Sequence, residues 1–324
     1  MTRIAIRRRG LLAAGALSAT AGSAAQAQPA WPAHPVENVV PYAAGGPTDR
    51  YAREFAPRLT ELWRQSVVVS NKPGGATAIG AAAVANAAPD GYTLLLASFG
   101  IVTNPIMIRN LPYDPKALAP LCRIALGGGV LYVHPSVPAA NVQELVAWAK
   151  ANPGALRFGS SGMGSSPHIS AELFAWTTGI EILHTPYRGI APAMTDLIAG
   201  HINALFDSPT SMRFAREGKV RALAITQPRR NAVAEEVPTM AESGYDGMVA
   251  RTFYGFFAPA AVPAELRARI AANLRAVAAT EAIARLIRQD GLEPHADSPE
   301  EFARFLDDQG AFWSRVIRQR NISM

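Results

Sequence analysis

Short runs rich in Val, Ile and Leu recur along the chain and alternate with longer stretches in which apolar residues return every three or four positions. The runs at 38–40, 66–69, 92–97, 130–133, 156–158, 202–206 and 220–225 predict strands. They lack polar alternation, which predicts burial on both faces, as in a sheet of mainly parallel strands. Between them Tyr51, Phe55, Leu59 and Leu62 fall at helical spacing, as do Leu145 with Trp148, and Ile169, Leu173 and Trp176. Each set is an apolar stripe expected to lie on a sheet. Two longer helical patterns cover 264–289 and 299–319, with Pro263 and Pro299 near their starts, where a missing amide is tolerated. Repeated alternation of this kind predicts an α/β fold.

The first 27 residues do not belong to that pattern. Arg3, Arg7, Arg8 and Arg9 make a basic start, residues 11–21 are a short apolar stretch, and Ala25-Gln26-Ala27 offers a small-residue cleavage site. This is the order of an export signal, and it predicts a mature chain beginning at Gln28 in the periplasm. Arg8-Arg9 suits the twin-arginine route as well as the general secretory one. The apolar stretch is about half the ~20 residues needed to span a bilayer. Those residues carry four Arg and no acidic side chain, so the formal charge of the remainder falls from +6 to +2. A basic whole-chain balance therefore gives no argument for nucleic acid, and Arg229-Arg230 and Arg315, Arg318 and Arg320 read as solvated faces. A mature length of 297 residues exceeds one ordinary core and predicts two domains. Cys122 is the single cysteine, which leaves no intrachain disulfide.

One arrangement occurs twice. The run ending at Val40 leads through Pro41-Tyr42-Ala43-Ala44-Gly45-Gly46 into a helix near Thr48, and the run ending at Phe158 leads through residues 159–166 into a helix near Pro167. Both are strand, small-residue loop and helix start. A helix start leaves amide hydrogens unpaired and carries partial positive charge, so small residues there let an anion approach the backbone. In an open α/β sheet such loops lie at the carboxyl ends of strands, where ligands bind. Two of them, one domain apart, fit a grip on one anion from opposite sides. Asp49 favours the helix dipole and would repel an anion, so it is expected to organise its loop. His168 either donates to an anion or packs beneath the loop. Tyr187 and Arg188 sit on a turn, where they can serve recognition or face solvent. Asp207 either bonds a loop amide or lines the cleft.

The enzymatic alternatives find little in the sequence. The loop 159–166 lacks the Gly-x-Ser-x-Gly spacing of a hydrolase elbow, although Ser165 and Ser166 lie close to His168. The six histidines form no metal-ligand spacing, Gly162-Met163-Gly164 lacks the third glycine of a dinucleotide fingerprint, and no cofactor is called for.

These segments, with 71–98, 110–115, 184–208, 218–226 and 237–248, resemble the Bug family of extracytoplasmic solute receptors, which serve tripartite tricarboxylate transporters. The resemblance implies a periplasmic-binding-protein-like fold of two lobes with a ligand cleft between them. Lobe 1 would comprise residues 28–126 plus 252–324 and lobe 2 residues 127–251. It implies capture of a small carboxylate-bearing solute without catalysis, cofactor or metal, for transporter subunits in the membrane or for a sensor. Ala44, Gly45, Gly46, Thr48 and Asp49 match the family's first carboxylate-binding loop, and Ser160, Gly164, Ser165, Ser166 and His168 match the second. Ser98, Asn104, Tyr187, Gly189 and Asp207 match other cleft-lining positions. Pro47 stands where the family usually has a third glycine or another flexible residue, which removes an amide donor and fixes φ. Phe99 is bulkier than the small polar residue often found there, and the pocket is expected to favour an apolar or aromatic acid.

Overall fold

The computed structural model describes residues 31–319 together with 1, 2 and 322. The expected export signal, its cleavage site at Ala27 and Arg320 lie outside the described residues. The elements run, in chain order, β1 (Val36–Val40), α1 (Pro47–Trp63), β2 (Val67–Asn71), α2 (Ala78–Ala85), β3 (Thr93–Ala97), α3 (Gly100–Met107), β4 (Leu118–Gly128) and β5 (Val130–Val133). There follow α4 (Val142–Ala151), β6 (Arg157–Ser160), α5 (Ser166–Thr178), β7 (Leu183–Pro186), α6 (Ile190–Ile198), β8 (Ala204–Asp207), α7 (Met212–Arg216) and β9 (Arg221–Ile225). The chain closes with β10 (Arg251–Pro259), α8 (Ala264–Ala278), α9 (Glu281–Gln289), β11 (Glu293–Pro294) and α10 (Pro299–Gln319).

The strands form two sheets, ordered β11-β4-β10-β3-β1-β2 and β7-β6-β8-β5-β9. β1 is parallel to β2 and β3, and β6 is parallel to β7 and β8, as the buried runs predict. The sheets are nevertheless mixed rather than mainly parallel. β10 pairs antiparallel with both β3 and β4, and β5 pairs antiparallel with both β8 and β9. The reason is the route of the chain, which leaves the first sheet along β4, enters the second at β5, and returns from β9 to β10 beside β4. The Thr226 side chain clasps both passages: its hydroxyl accepts the Gly129 amide at 3.0 Å and donates to the Ala250 carbonyl at 2.6 Å.

Each sheet is covered on both faces. Val36, Val40, Leu94 and Phe256 pack beneath Tyr51, Phe55 and Leu59 of α1 and Ile270 and Leu274 of α8. On the opposite face Val39, Leu95, Phe253 and Phe257 meet Phe302 and Trp313 of α10. In the second sheet Leu131, Phe158 and Phe206 meet Leu145, Leu173 and Phe174, while Val130, Tyr132 and Leu205 meet Met194 and Leu197 of α6. Two residues of the expected stripes turn outward: Leu62 is 49% and Trp176 45% exposed. In α1 the buried stripe continues at strict four-residue spacing to Trp63, whose indole nitrogen donates to Asn273 at 2.7 Å. The single helix expected over 264–289 is two, broken at Ala279-Thr280, where the Thr280 hydroxyl bonds back to the Val277 carbonyl at 2.7 Å.

Candidate ligand-binding site

The first loop is built around Asp49. β1 carries the chain to residue 40, the loop turns at Gly45 with φ +85°, and Gly46 caps α1 in an extended conformation. A side chain at Gly45 would be strained in that left-handed geometry. One Asp49 oxygen accepts the Gly45 amide and the Arg53 Nε, each at 2.9 Å, and the other accepts Asn71 Nδ2 at 2.9 Å. Asn71 Nδ2 also donates to the Tyr42 carbonyl at 3.1 Å. Burial would raise the Asp49 carboxyl, but the hydrogen bonds from Arg53, the Gly45 amide and Asn71 outweigh it, and the net shift is downward. Asp49 is therefore an ionised brace whose charge is matched by Arg53. Pro47 occupies the first turn of α1, where an amide has no partner within the helix in any case. The amides of Thr48 and Asp49 stand in the same turn, with the positive end of the helix behind them. Ala44 and Gly45 are exposed, whereas Thr48 and Asp49 are buried.

The second loop rests on two imidazoles. His168 and His184 stack with ring centroids 4.0 Å apart, and His168 Nδ1 accepts the Gly164 amide at 3.1 Å. His184 Nε2 lies 2.7 Å from the Ser160 hydroxyl, which also bonds both the amide and the carbonyl of Gly162 at 3.1 Å. Burial lowers His168 to about 3, helped by its His184 neighbour, and lowers His184 to about 4. Both rings are neutral near pH 7. His168 is thus a support for the loop, with its accepting nitrogen turned to the backbone, rather than a donor to an anion. The Gly164 amide is correspondingly committed within the protein. Ser165 caps α5 and donates to the Gly162 carbonyl at 2.6 Å, while Ser166 begins the helix, half-buried, with Pro167 in the first turn.

The other expected positions divide. The Tyr42 phenol is close to Ser98 and the backbone of Gly100, and Ser98 Oγ lies 3.2 Å from Thr252 Oγ1 on β10, so Ser98 stands between the first loop and the returning strand. Asn104 is fully buried and donates to the Ala76 carbonyl at 2.8 Å and to Thr77 Oγ1 at 3.1 Å, bracing the loop before α2. Tyr187 sends its hydroxyl to Asp196 at 2.7 Å, and its amide bonds the Ser160 carbonyl at 3.0 Å. Burial and the Asp196 carboxylate push its phenol up to about 12. Gly189 caps α6 with φ +124° and open space around it, a third helix start beside the second loop. Asp207 ends β8 and accepts from the Ser208 amide at 2.7 Å and from Ser211 Oγ at 2.5 Å. Burial pushes its carboxyl up to about 6 against those bonds. Arg188 is exposed. Phe99 is buried edge-on against Trp313 of α10, with ring centroids 5.1 Å apart. That placement removes the reason for expecting an aromatic acid, because the ring belongs to the core.

Asn71, Arg53, Thr103 and His184 hold the loops without having been singled out from the sequence. Thr103 Oγ1 donates to the Gly164 carbonyl at 3.1 Å and so joins α3, beside the first sheet, to the loop after β6 in the second. Both loops therefore belong to one neighbourhood, each presenting a helix start lined by Gly, Ser or Thr. The arrangement suits a small anion held by backbone amides and hydroxyls. It does not suit acyl transfer. Neither Ser165 nor Ser166 bonds a histidine, and Ser160, which does, is fully buried with its oxygen occupied by Gly162. Among the described residues no group of three His, Cys, Asp or Glu side chains is placed to hold a metal ion. A shallow depression of about 500 Å³ on the second unit, between Arg216, Arg221 and Glu236, touches neither loop.

The profile of the tripartite tricarboxylate transporter family receptors matches residues 51–322. The chain belongs to that family. Protein BugT of Bordetella pertussis is 33% identical over 312 residues, covering 94% of this chain and 95% of its own. The structure of R. palustris Rpa4515 with adipate superposes with a TM-score of 0.82 at 34% identity, over 90% of this chain and 99% of that one. MatC from Rhodopseudomonas palustris with bound malate gives 0.81 at 25% identity, over 88% and 99%. The mixed two-sheet α/β architecture is that of these receptors, and the resemblance to the Bug family read from segments along the chain is thereby established.

Proposed function

We propose that this chain is an exported periplasmic receptor that closes two lobes around one small carboxylate-bearing solute and delivers it unchanged to the membrane subunits of a tripartite tricarboxylate transporter. The lobes are residues 28–126 with 252–324, and residues 127–251. The observation that carries this reading is the pair of small-residue loops, 41–46 and 161–165, each ending at a helix start and each braced from behind, by Asp49 in one case and by His168 in the other. Bracing of this kind holds amides ready for an anion, so little ordering remains to be done on binding. The related receptors solved with adipate and malate support a short aliphatic acid as the solute class.

Binding is a rotation about the two passages near Gly129 and Ala250, with the solute shifting the population toward the closed form. Calorimetry of the mature protein against adipate, malate and benzoate, followed by chromatography of the ligand, tests the reading. One-to-one binding of at least one aliphatic acid, recovered unchanged, is expected. Binding of benzoate alone, or conversion of any of the acids, would overturn it. The mass of the mature N-terminus after secretion tests cleavage at Ala27.

A further inference from the structure

We infer that the Thr103 hydroxyl is a latch between the two units, a positioning residue that reports closure to the second binding loop without touching the solute. The inference rests on the cleft reading above and adds a mechanism for holding the cleft shut. Thr103 lies on α3 beside the first sheet, Gly164 lies in the loop after β6 of the second, and they are 61 residues apart in the chain. Thr103 is fully buried and Gly164 is buried.

Three features make this contact more than packing. First, the Gly164 peptide is gripped on both sides: its amide donates to His168 Nδ1 within its own unit, and its carbonyl accepts from Thr103 across the cleft. The cross-cleft bond thus fixes the same peptide plane that the imidazole stack orients, next to the start of α5. Second, Thr103 has an alternative acceptor on its own helix. The Phe99 carbonyl, one turn back, lies 3.4 Å from the same oxygen. Threonine hydroxyls readily bond the carbonyl four residues earlier, so when the units separate the proton has somewhere to go while water solvates Gly164. One proton with two acceptors, one in each unit, can favour either state at small cost. Third, α3 is anchored independently. The adjacent Asn104 ties it to Ala76 and Thr77, and Phe99 at its start packs on Trp313, so the hydroxyl is offered from a fixed helix.

A net hydrogen bond of this neutral kind corresponds to roughly threefold to tenfold in the closed-to-open ratio. The test compares the wild type with Thr103→Val, which keeps shape and loses the donor, and with Thr103→Ser, which keeps the donor. Spin labels at Val68→Cys and Leu183→Cys, on exposed sites of the two outer strands, report the distance between units, since the native Cys122 is fully buried. In the ligand-free protein the closed-to-open ratio read from the distance distribution is expected to fall threefold to tenfold in Thr103→Val and to be retained in Thr103→Ser. With adipate or malate as probe, dissociation is expected to quicken by the same factor, with association unchanged. An unchanged closed share in Thr103→Val, or a loss of equal size in Thr103→Ser, would overturn the latch. Because the distance measurement needs no ligand, failure of every carboxylate to bind would count against the proposed function while the distances still decide the latch.

Discussion

Acidification should destabilise this protein through the loop after β6, because that loop rests on two imidazoles that are neutral in the folded state. His168 and His184 sit at about 3 and about 4 when folded, against 6.5 when free. Between those values the unfolded chain binds protons that the folded one does not, so stability falls as pH falls below about 6.5 and stops falling near pH 3 to 4. From pH 7 to pH 5 each ring removes about 2 kcal/mol, so the pair removes roughly 4. Asp207 works in the opposite direction. Its folded value of about 6 lies above the free value of 3.8, so the folded state takes up protons over the same range. That returns roughly 1.4 kcal/mol, leaving a net loss of about 2 to 3 kcal/mol. Urea unfolding of the mature protein at pH 7 and pH 5 measures the difference directly. His168→Asn keeps an oxygen near the Nδ1 position to accept the Gly164 amide and removes the proton site. It should therefore shrink the pH-dependent loss by about 2 kcal/mol. An unchanged loss in the variant, or a protein more stable at pH 5 than at pH 7, would refute the account of the imidazole stack.

Four other substitutions test the first loop and the core around it. Asp49→Asn removes charge-assisted bonds to the Gly45 amide and Asn71 and should cost about 1.5 to 3 kcal/mol with weakened carboxylate binding. Arg53→Ala removes a half-exposed partner and should cost less than Asp49→Asn in the same calorimetric and denaturation assays. Gly80→Ala places a methyl within 2.8 Å of the Pro41 backbone and the Lys72 carbonyl, at the foot of the first loop. It should destabilise by roughly 1 to 3 kcal/mol and lower affinity, both read from a single titration and melt series. Phe99→Leu removes an edge contact with Trp313 and should lower the melting temperature while leaving the order of preference among acids unchanged, as competition binding would show.

The two small-residue loops are legible in the sequence because their signal is local: an apolar run, a stretch of Gly, Ala and Ser, and a helix start. The strands β1, β3, β5 and β9 are legible for the same reason. The antiparallel strands at 118–128 and 251–259 are not. The first contains Pro120 and Arg123 and the second begins with Arg251, and their burial depends on partners far away, such as Asp297, which meets Arg123 at 2.6 Å. Trp63 replaces Leu62 in the core because a step of four rather than three keeps the stripe of α1 in phase with its sheet. His168 leaves two readings open in the sequence, and the choice between donor and support depends on His184, which the pairing of β6 with β7 brings alongside. Phe99 shows the limit most plainly, since its neighbour Ser98 meets the first loop while the ring itself turns to α10.

The central claim is that two braced helix starts capture a carboxylate and do nothing to it. Mass spectrometry of the solute released from freshly purified mature protein tests that claim most directly. The account predicts one small aliphatic acid per chain, identical before and after incubation and displaced by adipate or malate. A released compound without a carboxylate, or one chemically altered by the protein, would contradict it.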